Sequence, residues 1–303
     1  MKSIKSPIVL FVYKRPKHTK KLIHILNKIS TNKIYIIADG YKNSLDKPDV
    51  IKTRNLINKI KTKKIVKIFF NRNVGLRKNA ELGLNKVFKF EKKAIILEDD
   101  TLPDLSFFNY CDVLLKKYQK NKKISMICGS NFKEVITKKY KNDYFFSKYP
   151  FFWGWATWYD RWNTFDNKMS KWKQYKSSTK FKKKFSKKKE FKHWNERFNF
   201  HYNFPHKGTW DFPFMMKHFF YNKISIVPKI NLIKNIGYDD PTSINPKKTS
   251  NLMTSSLKFP LKHPNNFISN EYDFFCSTRL FSKSKLSVRI KNKIKSIIKK
   301  MIL

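Results

Sequence analysis

Residues 94–100 read AIILEDD: four apolar residues, Ala94 to Leu97, run directly into three acids, Glu98, Asp99 and Asp100. Alternate side chains of a strand point to opposite faces, so an all-apolar strand needs cover on both. A parallel sheet between helices supplies it. Three earlier runs share this character: IVLFVY from Ile8, IYIIA from Ile34 and IVKIFF from Ile65. Between them Leu22, Ile25, Leu26 and Ile29, then Leu56, Ile57 and Ile60, recur at helical spacing. The alternation predicts an α/β, doubly wound, mainly parallel sheet over residues 1–130. Pro16 and Pro103 each follow an apolar run and suit the first position of a helix.

Composition bounds the rest. The chain has 303 residues, with 67 Lys+Arg against 21 Asp+Glu, a formal charge of +46. Only 8 of those cations are arginine. Base-edge reading relies on the planar guanidinium fork, so this lysine excess counts against sequence-specific nucleic-acid recognition. At 41% hydrophobic and 16% aromatic residues, the chain can bury a substantial core. Cys111, Cys128 and Cys276 lack C-x-x-C spacing, which predicts neither a zinc knuckle nor a disulfide framework. The apolar run from Ile8 to Tyr13 is too short for a signal-peptide core, and no segment has the length of a spanning helix. A reduced, cytoplasmic setting is expected.

Beyond residue 130 the character changes. Residues 144–165 are aromatic and nearly uncharged, and a lysine-rich run, KWKQYKSSTKFKKKFSKKKEFK, occupies 171–192. A helix is expected from Phe212 to Tyr221 and a strand from Ile224 to Val227. Residues 246–282 read as an irregular extension. In the acid-free tail, 283–303, Leu286, Ile290, Ile294, Ile297 and Met301 line one helical face. Such a basic amphipathic helix suits an anionic membrane surface, so a peripheral position on the inner face of the cytoplasmic membrane is expected.

Ligands of open α/β sheets bind beyond the carboxyl ends of the strands. Here the four runs are followed by Lys14-Arg15, by Asp39-Gly40, by Asn71, Asn73, Gly75 and Arg77, and by Glu98-Asp99-Asp100. Clustered carboxylates repel unless a cation or ordered donors compensate them, and hard oxygen ligands suit Mg²⁺ or Mn²⁺. The competing reading makes Asp100 or Thr101 the cap of a helix opened by Pro103. There is no G-x-G-x-x-G, no Walker loop and no G-x-S-x-G elbow.

PIVLFVYKRP, ADG, NVGLRKNAELGL, IILEDD, FFWGWATW, GTWDFPF and KNIGYDD occur in that order over roughly residues 5–245. Together they resemble the GT-A-fold glycosyltransferases, in particular bacterial relatives of the N-acetylglucosaminyltransferase that starts N-glycan branching. The resemblance implies a nucleotide-sugar half, 1–130, and an acceptor-binding and catalytic half, 131–245. It implies Asp100 as ligand of a Mn²⁺ or Mg²⁺ on the donor diphosphate, with Glu98 and Asp99 beside the nucleotide sugar and Asp99 near the ribose. Arg15 and Asp39 would contact the uridine of a UDP-sugar and Arg77 the phosphates. Gly154 and Trp155 would belong to a loop over the sugar, and Asp211 would be general base toward a glycan or glycolipid hydroxyl. A helix N-cap is the alternative role for Asp211. Relatives often carry a Thr-His pair near the end of the fold, but 237–243 here contains no histidine.

Two other classes fit some of these features. A sugar-phosphate nucleotidyltransferase uses a similar sheet, but normally has a Gly- and Lys-rich loop where KRPKHT stands. A polyanion binder would use the 171–192 lysines with Trp172, Tyr175, Phe181 and Phe185 stacking on single-stranded nucleic acid. Nucleic acid is the less expected partner.

Overall fold

The computed structural model describes residues 3–239, 252–265 and 267–282. The strands are β1 Ile8–Val12, β2 Lys33–Ala38, β3 Lys64–Phe69, β4 Lys93–Glu98, β5 Thr101–Pro103, β6 Ile124–Cys128, β7 Tyr144–Ser147, β8 Trp155–Trp158, β9 Ile224–Pro228 and β10 Ile233–Asn235. Eight form one sheet in the order β3-β2-β1-β4-β8-β6-β9-β7, and β10 pairs with β5 in a two-stranded one. β1 to β4 are mutually parallel, β6 runs parallel to β9, and β8 lies antiparallel between β4 and β6. The fold is α/β with a mainly parallel sheet, and the sheet continues unbroken across residue 130.

Helices α1 Pro16–Leu26, α2 Lys47–Leu56, α3 Leu76–Phe88 and α4 Ser106–Lys117 connect the first strands. The continuous apolar runs are explained by two cores. Val9, Phe11, Tyr35, Ile37, Ala94 and Ile96 point into one, with Leu84 and Val87 of α3. Ile8, Leu10, Ile34, Ile36, Ile95 and Leu97 point into the other, with Leu22 and Leu26 of α1. Both faces are covered, as the pattern required.

Pro16 opens α1 as expected. Pro103 does not open a helix: it ends β5, and α4 begins at Ser106 after Leu105. Neither Asp100 nor Thr101 therefore caps that helix. The expected helix at 212–221 spans Asp211–Phe220, and the expected strand spans Ile224–Pro228.

The lysine-rich run divides cleanly. Trp172, Tyr175 and Phe181 are at most 1% exposed and Phe185 7%, whereas lysines 171, 173, 176, 180, 182, 183, 187, 188, 189 and 192 are exposed. Those rings are core and have no face to offer a base, so the stacking role expected of a nucleic-acid binder is not available to them. The extension is packed too. Phe146 N–H donates to the Phe267 carbonyl (2.8 Å), Ser269 N–H donates to the Phe146 carbonyl (3.0 Å), and Tyr272 is fully buried. This segment lies along β7 at the edge of the sheet, covering backbone groups that would otherwise be open to pairing. Tail 283–303 lies outside the described residues. Among those described, the three cysteines are buried free thiols, and no helix is long and apolar enough to cross a membrane.

Candidate active site

The carboxyl ends of β1, β2 and β4 share one edge of the sheet, as parallel pairing dictates. β4 ends in the acids. Thr101 shapes that turn: its Oγ1 donates to the Glu98 carbonyl (2.7 Å) and accepts from Glu98 N–H (3.0 Å). The chain then forms β5, and β10 returns beside it, so that Ile236 N–H reaches the Asp100 carbonyl (2.8 Å). Gly237 lies against the Asp100 carboxylate so closely that a Cβ there would stand 2.3 Å from Oδ2. Only glycine leaves room for that carboxylate.

Arg15, just past β1, faces these acids. Its Nη1 lies 3.0 Å from Asp100 Oδ2 and 3.5 Å from Asp99 Oδ1. Burial and the neighbouring Asp100 nevertheless push Asp99 up to about 7, and push Glu98 up to about 8. Asp211 adds to the repulsion felt by Glu98. Among the described residues, the one guanidinium of Arg15 faces these acids and does not neutralise them.

Asp211 arrives by a separate route. Phe152, Trp155 and Trp210 form an aromatic platform, with Trp155 and Trp210 stacked at 5.4 Å between ring centroids and 23° between planes. Asp211 follows Trp210 as the first residue of the Asp211–Phe220 helix, close enough to Glu98 for the two charges to interact. A carboxylate in the first turn meets the positive end of the helix dipole. Burial raises the Asp211 pKa above the usual carboxylate range, while Thr209 and Arg197 counter that rise. Trp210, not Asp211, occupies the N-cap, so the N-cap role expected as the alternative for Asp211 does not hold; Asp211 is the first residue of the helix itself.

Several anticipated ligands have other occupations. Asp39 accepts backbone N–H groups from Gly40 (2.9 Å) and Val74 (2.8 Å) at Oδ1 and from Gly75 (2.9 Å) at Oδ2, so both its oxygens hold the loop after β3. Gly75 leads that loop into α3 at φ +83°, a conformation that suits glycine. Arg77 is 6% exposed, and donates from Nε to Asn167 Oδ1, from Nη1 to the His201 carbonyl and from Nη2 to the Asn167 carbonyl. It fastens the 167 loop and the Lys188–Asn203 helix to α3, and these contacts turn it toward protein rather than phosphate. Trp155 is fully buried and has no surface for a sugar ring. Gly154 is packed beneath the site, its absent Cβ falling 2.4 Å from Ile233 Cδ1. Trp153 is the half-exposed tryptophan of this segment, with Phe132 at 4.8 Å and Tyr238 at 5.5 Å.

Among the described residues, no group of three or more His, Cys, Asp or Glu side chains forms a ready-made metal cage. A separate cavity of about 200 Å³, lined by Ser125, Arg161, Phe165, Phe214, Lys217 and His218 among others, opens at the opposite end of β6 and β9. Its only acid, Asp160, is paired with Lys122 and Arg161. The acid cluster is not part of it. Sequence reasoning did not single out Thr209, His201 or Gly237 as site residues; Thr209 stands beside Asp211, His201 beside Thr209, and Gly237 beside Asp100.

No family model and no curated protein matches the sequence. Solved structures overlap the fold in part. Mouse xyloside xylosyltransferase 1, in its apo form, is 8% identical over 71% of this chain and 81% of its own, with a TM-score of 0.36. TarS from S. aureus is 12% identical over 41% of this chain and 21% of its own, with a TM-score of 0.30. A UDP-glucose pyrophosphorylase complexed with UDP-glucose is 10% identical over 44% of this chain and 60% of its own, with a TM-score of 0.27. The chain thus spans about a fifth of the length of TarS. At such identities and TM-scores these likenesses describe partial overlap of the fold and nothing of the chemistry.

Proposed function

We propose that the chain is a metal-dependent GT-A-type glycosyltransferase, moving a sugar from a nucleotide-sugar, a UDP-sugar first, to a hydroxyl of a glycan or glycolipid, with inversion. One observation carries this reading. An acid cluster, Glu98 to Asp100, faced among the described residues by the single guanidinium of Arg15, stands at the carboxyl edge of the sheet, near enough to a second, independently positioned carboxylate, Asp211, for Glu98 to feel its charge. The first group suits the donor diphosphate and the second suits the acceptor.

The cluster also fits a divalent cation, because its charge is in deficit. Asp100 would ligate Mn²⁺ or Mg²⁺ together with the donor phosphates, and Asp99 would lie near the ribose. Bound there, the cation would supply Lewis-acid stabilisation of the departing diphosphate. Arg15 adds counter-charge at the same edge. Asp39 and Arg77 contribute through the loops they hold. Asp211 takes the proton of the acceptor hydroxyl as its oxygen attacks the anomeric carbon from the face opposite the leaving diphosphate.

Turnover of a panel of UDP-sugars with Mn²⁺ tests the donor side. Asp100→Ala is expected to lower transfer by roughly 100-fold or more, at the scale of losing one preorganised electrostatic contact. Equal activity of wild type and variant would remove Asp100 from the metal site. The product separates this reading from the nucleotidyltransferase alternative: nucleoside diphosphate marks sugar transfer, pyrophosphate marks nucleotide transfer.

The acceptor's location is proposed from the tail. Residues 283–303 carry lysines beside an apolar stripe and no acid, a pattern that suits an anionic membrane face. Removing them is expected to release the protein from anionic liposomes in a flotation assay, and unchanged flotation would refute the role.

A further inference from the structure

Behind Asp211 stands a hydrogen-bonded chain with no part in the roles above. Thr209 Oγ1 donates to Asp211 Oδ1, His201 Nε2 lies 3.2 Å from Thr209 Oγ1, and His201 Nδ1 lies 3.1 Å from the Arg197 carbonyl. A carbonyl only accepts, so Nδ1 carries a hydrogen. Thr209 has one hydroxyl hydrogen and two neighbours that want it. With Asp211 ionised and His201 neutral, the chain is one hydrogen short. Adding one proton completes it in two ways. Either Asp211 holds the proton and donates to Thr209, which donates to Nε2, or Nε2 holds it and donates to Thr209, which donates to Asp211.

We propose that Thr209 and His201 form a proton path leading away from Asp211, which passes on the proton taken from the acceptor and restores the base. This rests on the transferase reading above. The acceptor oxygen forms its bond to the anomeric carbon, the bond from that carbon to the diphosphate oxygen breaks with its electron pair on the diphosphate, and the hydroxyl proton moves to Asp211. Asp211 then gives a proton to Thr209 Oγ1 as Thr209 gives its own to His201 Nε2, leaving aspartate and imidazolium. No other reactant is required.

The ring is enclosed and its neighbours are charged. His201 is 4% exposed, packs on Phe212 with ring centroids 3.9 Å apart, and has its carbonyl held by Arg77 Nη1 at 2.7 Å. Arg77 from α3 and Arg197 from the same helix as His201 oppose a permanent charge on it. Asp211, with Glu98 of β4 beyond, favours a proton arriving on the chain. Burial of Asp211 raises its own proton affinity, which brings the two ends closer to balance.

The test begins without substrate. In ¹⁵N-histidine NMR of the full chain, wild-type His201 is expected to be the Nδ1–H tautomer when neutral. Its Nε2 protonation midpoint should fall in Thr209→Val and in Asp211→Asn, and return in Thr209→Ser. An Nε2–H tautomer in the wild type, or a midpoint unmoved by either change, overturns the path whether or not the chain transfers sugar. With substrate, His201→Gln is expected to lower kcat roughly ten-fold at unchanged donor KM. It should also move the acid limb of kcat/KM to lower pH, because one of two sites sharing the proton is gone. A limb that moves to higher pH would mark His201 as a standing cation, and an unmoved limb would mark it as packing alone; either result overturns the path. Circular dichroism of each variant establishes that it is folded.

Discussion

Asp211→Asn is expected to lower kcat for sugar transfer by roughly 10²- to 10⁴-fold while leaving donor affinity within about two-fold of wild type. The substitution preserves size and an oxygen that accepts from Thr209. It removes the one property a base requires, a charge that can take a proton. Donor affinity should survive because the diphosphate end of the site is built by other elements. The turn at Glu98 to Asp100 is set by Thr101 and by β10, and Arg15 comes from the end of β1. Among the described residues, Asp211 bears on that end through repulsion of Glu98. Calorimetry of UDP-sugar binding, beside a steady-state assay with acceptor in excess, resolves the two quantities. A variant retaining more than a tenth of wild-type kcat would transfer the base role elsewhere.

What could be read in the sequence depended on whether partners were near in the chain. β1, β2 and β4 declared themselves because both faces of each are buried, β3 is an edge strand that buries only Ile68 fully, and AIILEDD placed its acids at a strand end by register alone. Asp39 and Arg77 had the same outward signature, polar residues just past apolar runs, yet the fold uses them differently. Asp39 is filled by N–H groups of residues 74 and 75, about 35 positions on, and Arg77 by Asn167 and His201, 90 and 124 positions on. No local pattern announces such distant partners. The same holds for His201, whose nearness to Thr209 comes from how the Lys188–Asn203 helix turns back through 204–208. The aromatics at 144–165 were legible as a group but not one by one. Among Trp153, Trp155, Trp158 and Trp162, only Trp153 retains appreciable exposure: Trp155 and Trp158 lie on the interior strand β8 and Trp162 packs against Phe88 and Phe165, whereas Trp153 precedes the strand.

Gly154→Ala is expected to lower the melting temperature by about 4 °C or more and to reduce kcat/KM with it. Gly154 sits at φ +57°, where a side chain costs roughly 1–2 kcal/mol. A Cβ would also press on Ile233 at 2.4 Å and 2.8 Å and on Leu97 at 3.3 Å, and overpacking a core of this kind costs about 1–3 kcal/mol. At roughly 2 °C per kcal/mol for a chain this long, the sum gives the stated shift. The loss should extend to function because Ile233 belongs to β10, the strand that leads Ile236 to the Asp100 carbonyl and Gly237 to its carboxylate. Pressure on Ile233 is therefore pressure on the acid cluster. The Gly154 carbonyl also accepts the Gly129 N–H at 2.7 Å, tying the end of β6 to the start of β8, so the strain has no free edge into which to relax. Calorimetric melting decides between this account and a loop that merely closes over the sugar. An unchanged melting temperature with a raised donor KM would return Gly154 to the sugar, whereas a lowered one places it in the foundation beneath the acids.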